Sequence, residues 1–220
     1  MLELQNVVFG YRDSAPVLNG ISLVIKEGDF LILRGPSGSG KSTFLRLLNG
    51  LLEPQEGIIL FHGRPLSSYD YPSLRRRVIY LPQTPVLLDA SVRDNLCLPF
   101  RFRSARKATP PTDEVVGEYL RVFRLEDVSL EANARNLSVG QKQRLALIRV
   151  LLLKPEVLLL DEPTASLDPE VCRVVEDYLE TLNQEQGVGI VMVNHSDYLP
   201  RRVNYRLFYL DHGRLREEEA

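Results

Sequence analysis

The sequence has only two cysteines among 220 residues. Cys97 and Cys172 form no Cys-x-x-Cys pair and have no histidine cluster nearby, so they read as two reduced thiols rather than a disulfide framework or a zinc site. Long hydrophobic runs are also missing. No uninterrupted apolar stretch exceeds four residues, whereas a membrane-spanning helix needs about 20. The start, Met1-Leu2-Glu3-Leu4, has neither a basic end nor an apolar signal core, so a soluble, cytoplasmic chain is expected. An excess of one charge is lacking too. The 27 basic and 29 acidic side chains leave a net charge of −2, which argues against bulk nucleic-acid binding. No internal repeat is visible, and 14 glycines and 14 prolines in a 44% hydrophobic chain exclude collagen-like, coiled-coil and wholly disordered classes. What remains is one large domain, or one domain with an inserted subdomain, able to bury a core without staples.

Apolar patterning then orders the chain. Residues 2–9 alternate loosely and read as an edge strand. Ile21–Ile25 and Phe30–Leu33 read as strands around the turn Lys26-Glu27-Gly28-Asp29. Lys41–Leu52 has helical spacing, and Ile58–Phe61 and Val78–Leu81 are short strands. Helical patterns dominate from about Ser91 to Leu153, broken by a basic stretch at 101–111 that reads as a solvated loop. Val157–Leu160 and Ile190–Val193 are unbroken apolar runs, the mark of strands buried on both faces. Between them, Glu170–Leu182 is an amphipathic helix. Leu207–Leu210 and Arg214–Leu215 flank the hairpin turn Asp211-His212-Gly213. Strands alternating with helices predict an α/β fold, with a helical insertion between roughly 85 and 152.

Chemistry concentrates in two places. Gly35-Pro36-Ser37-Gly38-Ser39-Gly40-Lys41-Ser42-Thr43 contains G-x-x-x-x-G-K-[ST] between a strand and a helix, the context that a phosphate-binding loop requires. Gly38 and Gly40 let successive backbone N–H groups turn inward, and the helix dipole adds positive potential at the same point. Lys41 brings a charge for the β- and γ-phosphates, and Ser42 a hydroxyl for Mg²⁺. Later, the buried strand Val157–Leu160 ends in Asp161, an acid placed to hold the Mg²⁺ shell. Glu162 follows at once and is the candidate base that orients the attacking water.

Between these sites lies Leu137-Ser138-Val139-Gly140-Gln141, where Ser138 and Gln141 also form a helix-starting capping box. The phosphate-loop lysine, a glutamine after a strand, this signature, the Asp161-Glu162 pair and a later histidine occur in one order. That order resembles the ATP-binding subunits of ABC transporters, over nearly the whole chain. The resemblance implies a P-loop NTPase (RecA-like) core with an N-terminal antiparallel β-subdomain, formed by 1–84 and 153–220, and an inserted helical subdomain at 85–152. It also implies site roles. Tyr11 matches the aromatic that stacks on adenine, and Gln83 the glutamine that touches Mg²⁺ and the attacking water. Ser138, Gly140 and Gln141 match the signature that contacts the γ-phosphate held by the opposite subunit, Ser166-Leu167-Asp168 the loop crossing the dimer seam, and His195 the histidine that grips the γ-phosphate.

By the same resemblance the cofactors are ATP and Mg²⁺. ATP closes a head-to-tail homodimer, hydrolysis opens it, and the work passes to an integral membrane subunit, with the chain peripheral on the inner face of the cell membrane. Departures exist. Val139 stands where the family usually has glycine, and would be strained if that position needed positive φ. Residues 131–136 lack the Gly-rich acidic loop of many large exporters, and no C-terminal regulatory domain is expected. Soluble ABC ATPases acting on DNA or ribosomes are the alternative, but their long coiled coils or paired ATPase domains have no counterpart here. P-loop kinases and GTPases have no use for the signature. Within transporters, 83–88 and 91–100 resemble the ATP-binding subunits of small bacterial iron-export systems, with phosphate importers and lipoprotein-releasing systems as rivals.

Replacing Lys41 by Ala is expected to abolish useful ATP binding, because the loop loses its charge. Nucleotide titration of the purified variant checks this, and unchanged affinity would sink the phosphate-loop assignment.

Overall fold

The computed structural model describes residues 1–12, 15–102, 109–194 and 198–218. Strands β1 (Leu2–Phe9), β2 (Leu18–Ile25) and β3 (Phe30–Arg34) lead into helix α1 (Lys41–Leu48). Strands β4 (Glu56–Phe61) and β5 (Arg64–Pro65), helix α2 (Tyr71–Arg77) and strand β6 (Val78–Leu81) follow. Helices α3 (Val92–Cys97), α4 (Asp113–Val122) and α5 (Val139–Leu151) come next. Strand β7 (Val157–Asp161), helix α6 (Pro169–Gln186) and strands β8 (Gly189–Val193), β9 (Tyr205–Asp211) and β10 (Arg214–Glu218) complete the order.

The strands form two sheets. One is antiparallel with order β2-β1-β4-β5; the other has order β10-β9-β3-β8-β7-β6, parallel except for β10. The α/β fold and the antiparallel N-terminal sheet agree with expectation. β1, however, is not an edge strand: it pairs with β2 on one side and β4 on the other. β2 begins at Leu18 rather than Ile21, because Leu18 is buried opposite Phe9. α1 ends at Leu48, short of Leu52, where Gly50 turns left-handed at φ 67. α6 runs on to Gln186, stopped by Gly187 at φ 65.

Period-two alternation divides the parallel strands between two cores. Ile32, Leu158, Leu160, Ile190 and Met192 face the cluster that contains residues of α3, α4, α5 and α6. Leu31, Leu33, Val157, Leu159, Val191 and Val193 face α1 and the antiparallel sheet. Both faces of β7 and β8 are therefore covered, which is why these strands are unbroken apolar runs. The two histidines left without a role in the sequence, His62 and His212, open two-residue turns with Gly63 and Gly213, all four at positive φ. Of the basic stretch 101–111, Leu98–Arg101 forms a 3₁₀ turn and 103–108 lie outside the described residues. No described helix is long and apolar enough to cross a membrane.

Candidate nucleotide-hydrolysis site

Strand register decides where the site forms. Val193 of β8 pairs with Leu33 of β3 on one side and Asp161 of β7 on the other, and Leu81 of β6 pairs with Leu160. Four parallel strands thus end at one level, and the loops after them leave from one edge. A cavity of about 280 Å³ opens there, lined by Tyr11, Val17, Ser37, Gly38, Gly40, Lys41, Ser42, Thr43, Gln83 and Glu162. All of these except Val17 are candidates from the sequence.

The phosphate loop needs its glycines at defined points. Gly38 and Gly40 have φ 79 and 102, open to glycine and costly for other residues. Gly35 has φ 146, and a Cβ there would lie 2.1 Å from the Leu210 carbonyl oxygen of neighbouring β9. Lys41 is buried and donates to the carbonyls of Gly35 at 2.8 Å and Pro36 at 2.9 Å. Burial lowers its pKa, while Glu162 and Asp161 nearby act in the opposite direction. Ser39 Oγ is buried and has no hydrogen-bond partner among the described residues. A loop with a buried cation, an orphaned hydroxyl and no acid in the first turn of α1 is matched to an anion. Tyr11, about half exposed, holds its ring edge-on to Phe9 and its hydroxyl 3.1 Å from Thr43 Oγ1.

The two carboxylates are held differently. Asp161 is 4% exposed and is not among the residues lining the cavity, its Oδ2 accepting from the Tyr80 hydroxyl at 2.9 Å. Burial and that carboxylate push the Tyr80 pKa up to about 12, so the phenol stays a donor. Glu162 adopts φ 51, a left-handed conformation that costs a non-glycine residue about 1–2 kcal/mol. Its N–H donates to the Val193 carbonyl at 3.1 Å, and its Oε2 accepts from Gln83 Nε2 at 2.8 Å. The twist brings the side chain into the cavity lining beside Lys41 and Gln83.

The signature residues are elsewhere. Ser138, Gly140 and Gln141 do not line the cavity. Ser138 caps α5, its Oγ accepting from Gln141 N–H at 3.2 Å while Gln141 Oε1 accepts from Ser138 N–H at 2.9 Å. The strain considered for Val139 is absent: it has no positive φ and starts α5 with 68% of its surface exposed. A Cβ on Gly140 would lie 3.1 Å from the Ser166 carbonyl, so the 166–167 segment packs against the start of α5. His195 lies outside the described residues.

Two contributors to the site, and one buried clamp outside the cavity lining, are not announced by the sequence motifs. Val17 walls the phosphate loop where a Cβ on Gly40 would lie 2.6 Å from it. Tyr80 carries one weak signal, a hydroxyl in a short buried strand. Glu180, 1% exposed on α6, accepts from the Tyr198 hydroxyl at 2.9 Å and the N–H groups of Arg201 and Arg202 at 3.0 and 2.6 Å. Nothing local in the sequence announces that clamp.

A glycine-rich loop between strand and helix, with a buried acid ending the parallel strand two places away in the same sheet, defines a P-loop nucleotide hydrolase. Residues 18–165 match the family model described as ABC transporter; the chain belongs to that family and is an ATP hydrolase of its type. It is 41% identical to ABC transporter I family member 17 of Arabidopsis thaliana over 184 residues, covering 84% of this chain and 68% of that protein. It is 37% identical to the probable iron export ATP-binding protein FetA of Escherichia coli (strain K12), covering 89% of this chain and 84% of that one. Its structure resembles the ATP-binding cassette MJ0796, a dimer in a post-hydrolysis state bound to ADP and Pi. The TM-score is 0.84 at 29% identity, over 100% of this chain and 98% of the other.

The donor set at this edge suits a small hard cation. Ser42, Asp161 and Gln83 offer only oxygen, and the described residues hold no His, Cys, Asp and Glu cluster able to bind a metal unaided. Mg²⁺ completed by phosphate oxygens and water fits that composition.

Gly35→Ala is expected to weaken nucleotide binding at least ~10-fold and to destabilise the fold by about 1–3 kcal/mol, because β3 and β9 must part. Gly63→Ala, also at positive φ but in open space, should cost about 1 kcal/mol and leave nucleotide affinity intact. Urea denaturation and nucleotide titration of the pair check the contrast.

Proposed function

We propose that the chain is the motor subunit of an ABC transporter, closing as a head-to-tail homodimer on two ATP molecules to drive a separate integral membrane subunit. One observation carries this reading. Lys41, Ser42, Gln83 and Glu162 line one cavity, while Ser138, Gly140 and Gln141 sit outside it. A complete site then takes its second half from another copy, in keeping with the dimeric MJ0796 neighbours.

In that site Tyr11 stacks on adenine, and the backbone from Gly35 to Thr43 wraps the phosphates with Lys41 on the β- and γ-groups. Mg²⁺, when bound, neutralises charge developing between the β- and γ-phosphates; Ser42, Asp161 and Gln83 are the residues that would hold it. Gln83 and Glu162, already hydrogen-bonded, place the attacking water in line with the γ-phosphorus, and Glu162 Oε takes its proton. His195 holds the γ-phosphate from its own subunit, and the N-terminus of α5 in the partner copy offers N–H groups from the far side. Loss of that phosphate removes the bridge between subunits, and the dimer opens.

The work leaves through the segment after Gln83. Val86 is 75% and Leu88 46% exposed, whereas Leu87 packs against the core. The backbone beneath them is fixed: Asn95, fully buried, accepts from Leu88 N–H at 2.8 Å and donates to its carbonyl at 3.2 Å, and Arg149 donates to the Val86 carbonyl at 3.0 Å. Rigidly presented apolar side chains at the start of the helical segment 85–152 suit a groove for a cytoplasmic helix of the membrane subunit. That contact would make the chain peripheral to the membrane. Metal export, iron first, is the proposed cargo reading, supported by the 37% identity to FetA; relatives named for spermidine/putrescine and methionine import are similar to the same degree, at 37% and 36%.

Glu162→Gln is expected to retain ATP binding, slow turnover by ~10²-fold or more, and accumulate an ATP-bound dimer seen by light scattering. Hydrolysis at the wild-type rate would remove Glu162 as the base. Leu88→Glu should leave the isolated ATPase nearly intact and break co-purification with the membrane subunit, because it sets a charge in an apolar contact. An intact complex with full transport activity would place the docking surface elsewhere.

A further inference from the structure

We infer that Tyr80 is a positioning residue that aims the Asp161 carboxylate at the metal, and that Arg46 braces it from behind. The inference rests on the proposed role of Asp161 and extends it. Tyr80 of β6 pairs with Leu159 of β7, so Tyr80 and Asp161 stand one diagonal step apart on the same face of the sheet. That face is the one covered by α1, since Val78, Val157 and Leu159 share its core with Phe44 and Leu45.

Asp161 is 4% exposed, and among the described residues the Tyr80 hydroxyl is the one side-chain donor to its carboxylate, at 2.9 Å. A buried carboxylate with one oxygen pinned has the other left for a cation. Ligands of a metal are commonly held this way, and losing such a partner typically costs 10–100-fold in metal affinity. The brace comes from α1 itself. Arg46 lies one helical turn after Ser42, on the same side of the helix. Its guanidinium carbon is 5.9 Å from the centre of the Tyr80 ring. One short helix thus delivers the Ser42 hydroxyl to the phosphate cavity and the Arg46 charge to the phenol that steers Asp161.

Tyr80→Phe removes a single oxygen and keeps the ring over Arg46. A purely structural role would show as lost stability with nucleotide binding unchanged or weakened alike with and without metal. The positioning role predicts a metal-specific loss. A non-hydrolysable ATP analogue is titrated into the full chain in Mg²⁺ and, separately, in EDTA. For Tyr80→Phe, affinity should fall ~10-fold in Mg²⁺ and stay at the wild-type value in EDTA. Equal loss in both series, or none, overturns the inference. Should Tyr80→Phe fail to fold, Arg46→Met decides, with a smaller loss confined to Mg²⁺ expected and no such loss contradicting the relay. Asp161→Asn separates the Tyr80 inference from the assignment beneath it. If it abolishes the Mg²⁺-dependent gain while Tyr80→Phe does not, only the Tyr80 inference fails; if neither variant changes that gain, the Asp161 assignment fails with it.

Discussion

The alignment of strand ends in the six-stranded sheet is the constraint on which the site depends. Leu33, Val193 and Asp161 stand in one row across β3, β8 and β7. Parallel hydrogen bonding sets that row, and burial of alternate residues on both faces locks it, since a one-residue slip would exchange the two cores. From the row, the chain leaves β3 into the phosphate loop and β7 into Glu162, while β6, paired one step back, leads to Gln83. Residues 125 positions apart, from Ser37 to Glu162, meet because the sheet carries them to one edge.

The charged groups at that edge each have a partner within the chain. Lys41 is tied to two loop carbonyls, Asp161 to a phenol, and Glu162 to Gln83. An anion would offer Lys41 a charge-assisted partner stronger than two neutral carbonyls. At the signature, Ser138 and Gln141 cap each other and fix the start of α5. Among the non-glycine residues lining the cavity only Glu162 is left-handed, and its turn is stabilised by the β8 carbonyl of Val193.

Features that depend on local chemistry are legible in the sequence. The phosphate loop, the two doubly buried strands, the capping box and the His212-Gly213 hairpin each follow from spacing or turn chemistry within a few residues. Features that depend on pairing between distant strands are not. β1 alternates like an edge strand, and only its partners β2 and β4 make it central. Tyr80 acquires its role from the register with β7, and Glu180 from a segment 18 to 22 residues further along the chain. The unusual Val139 resembles a defect in the signature, yet its position at the first turn of α5 asks for nothing that a β-branched residue cannot supply.

In the proposed reading, signature residues that stand outside the phosphate cavity call for a second copy to complete one site. A disulfide trap tests that requirement. Ser37, on the cavity wall, and Val139, at the start of α5, are each replaced by cysteine in separate Glu162→Gln chains whose Cys97 and Cys172 are changed to serine. On mixing under mild oxidation, a cross-linked species of doubled mass should join one chain of each kind, form with ATP and Mg²⁺, and be absent with ADP. Cross-linking independent of nucleotide, or none with ATP present, would contradict a site shared between two copies.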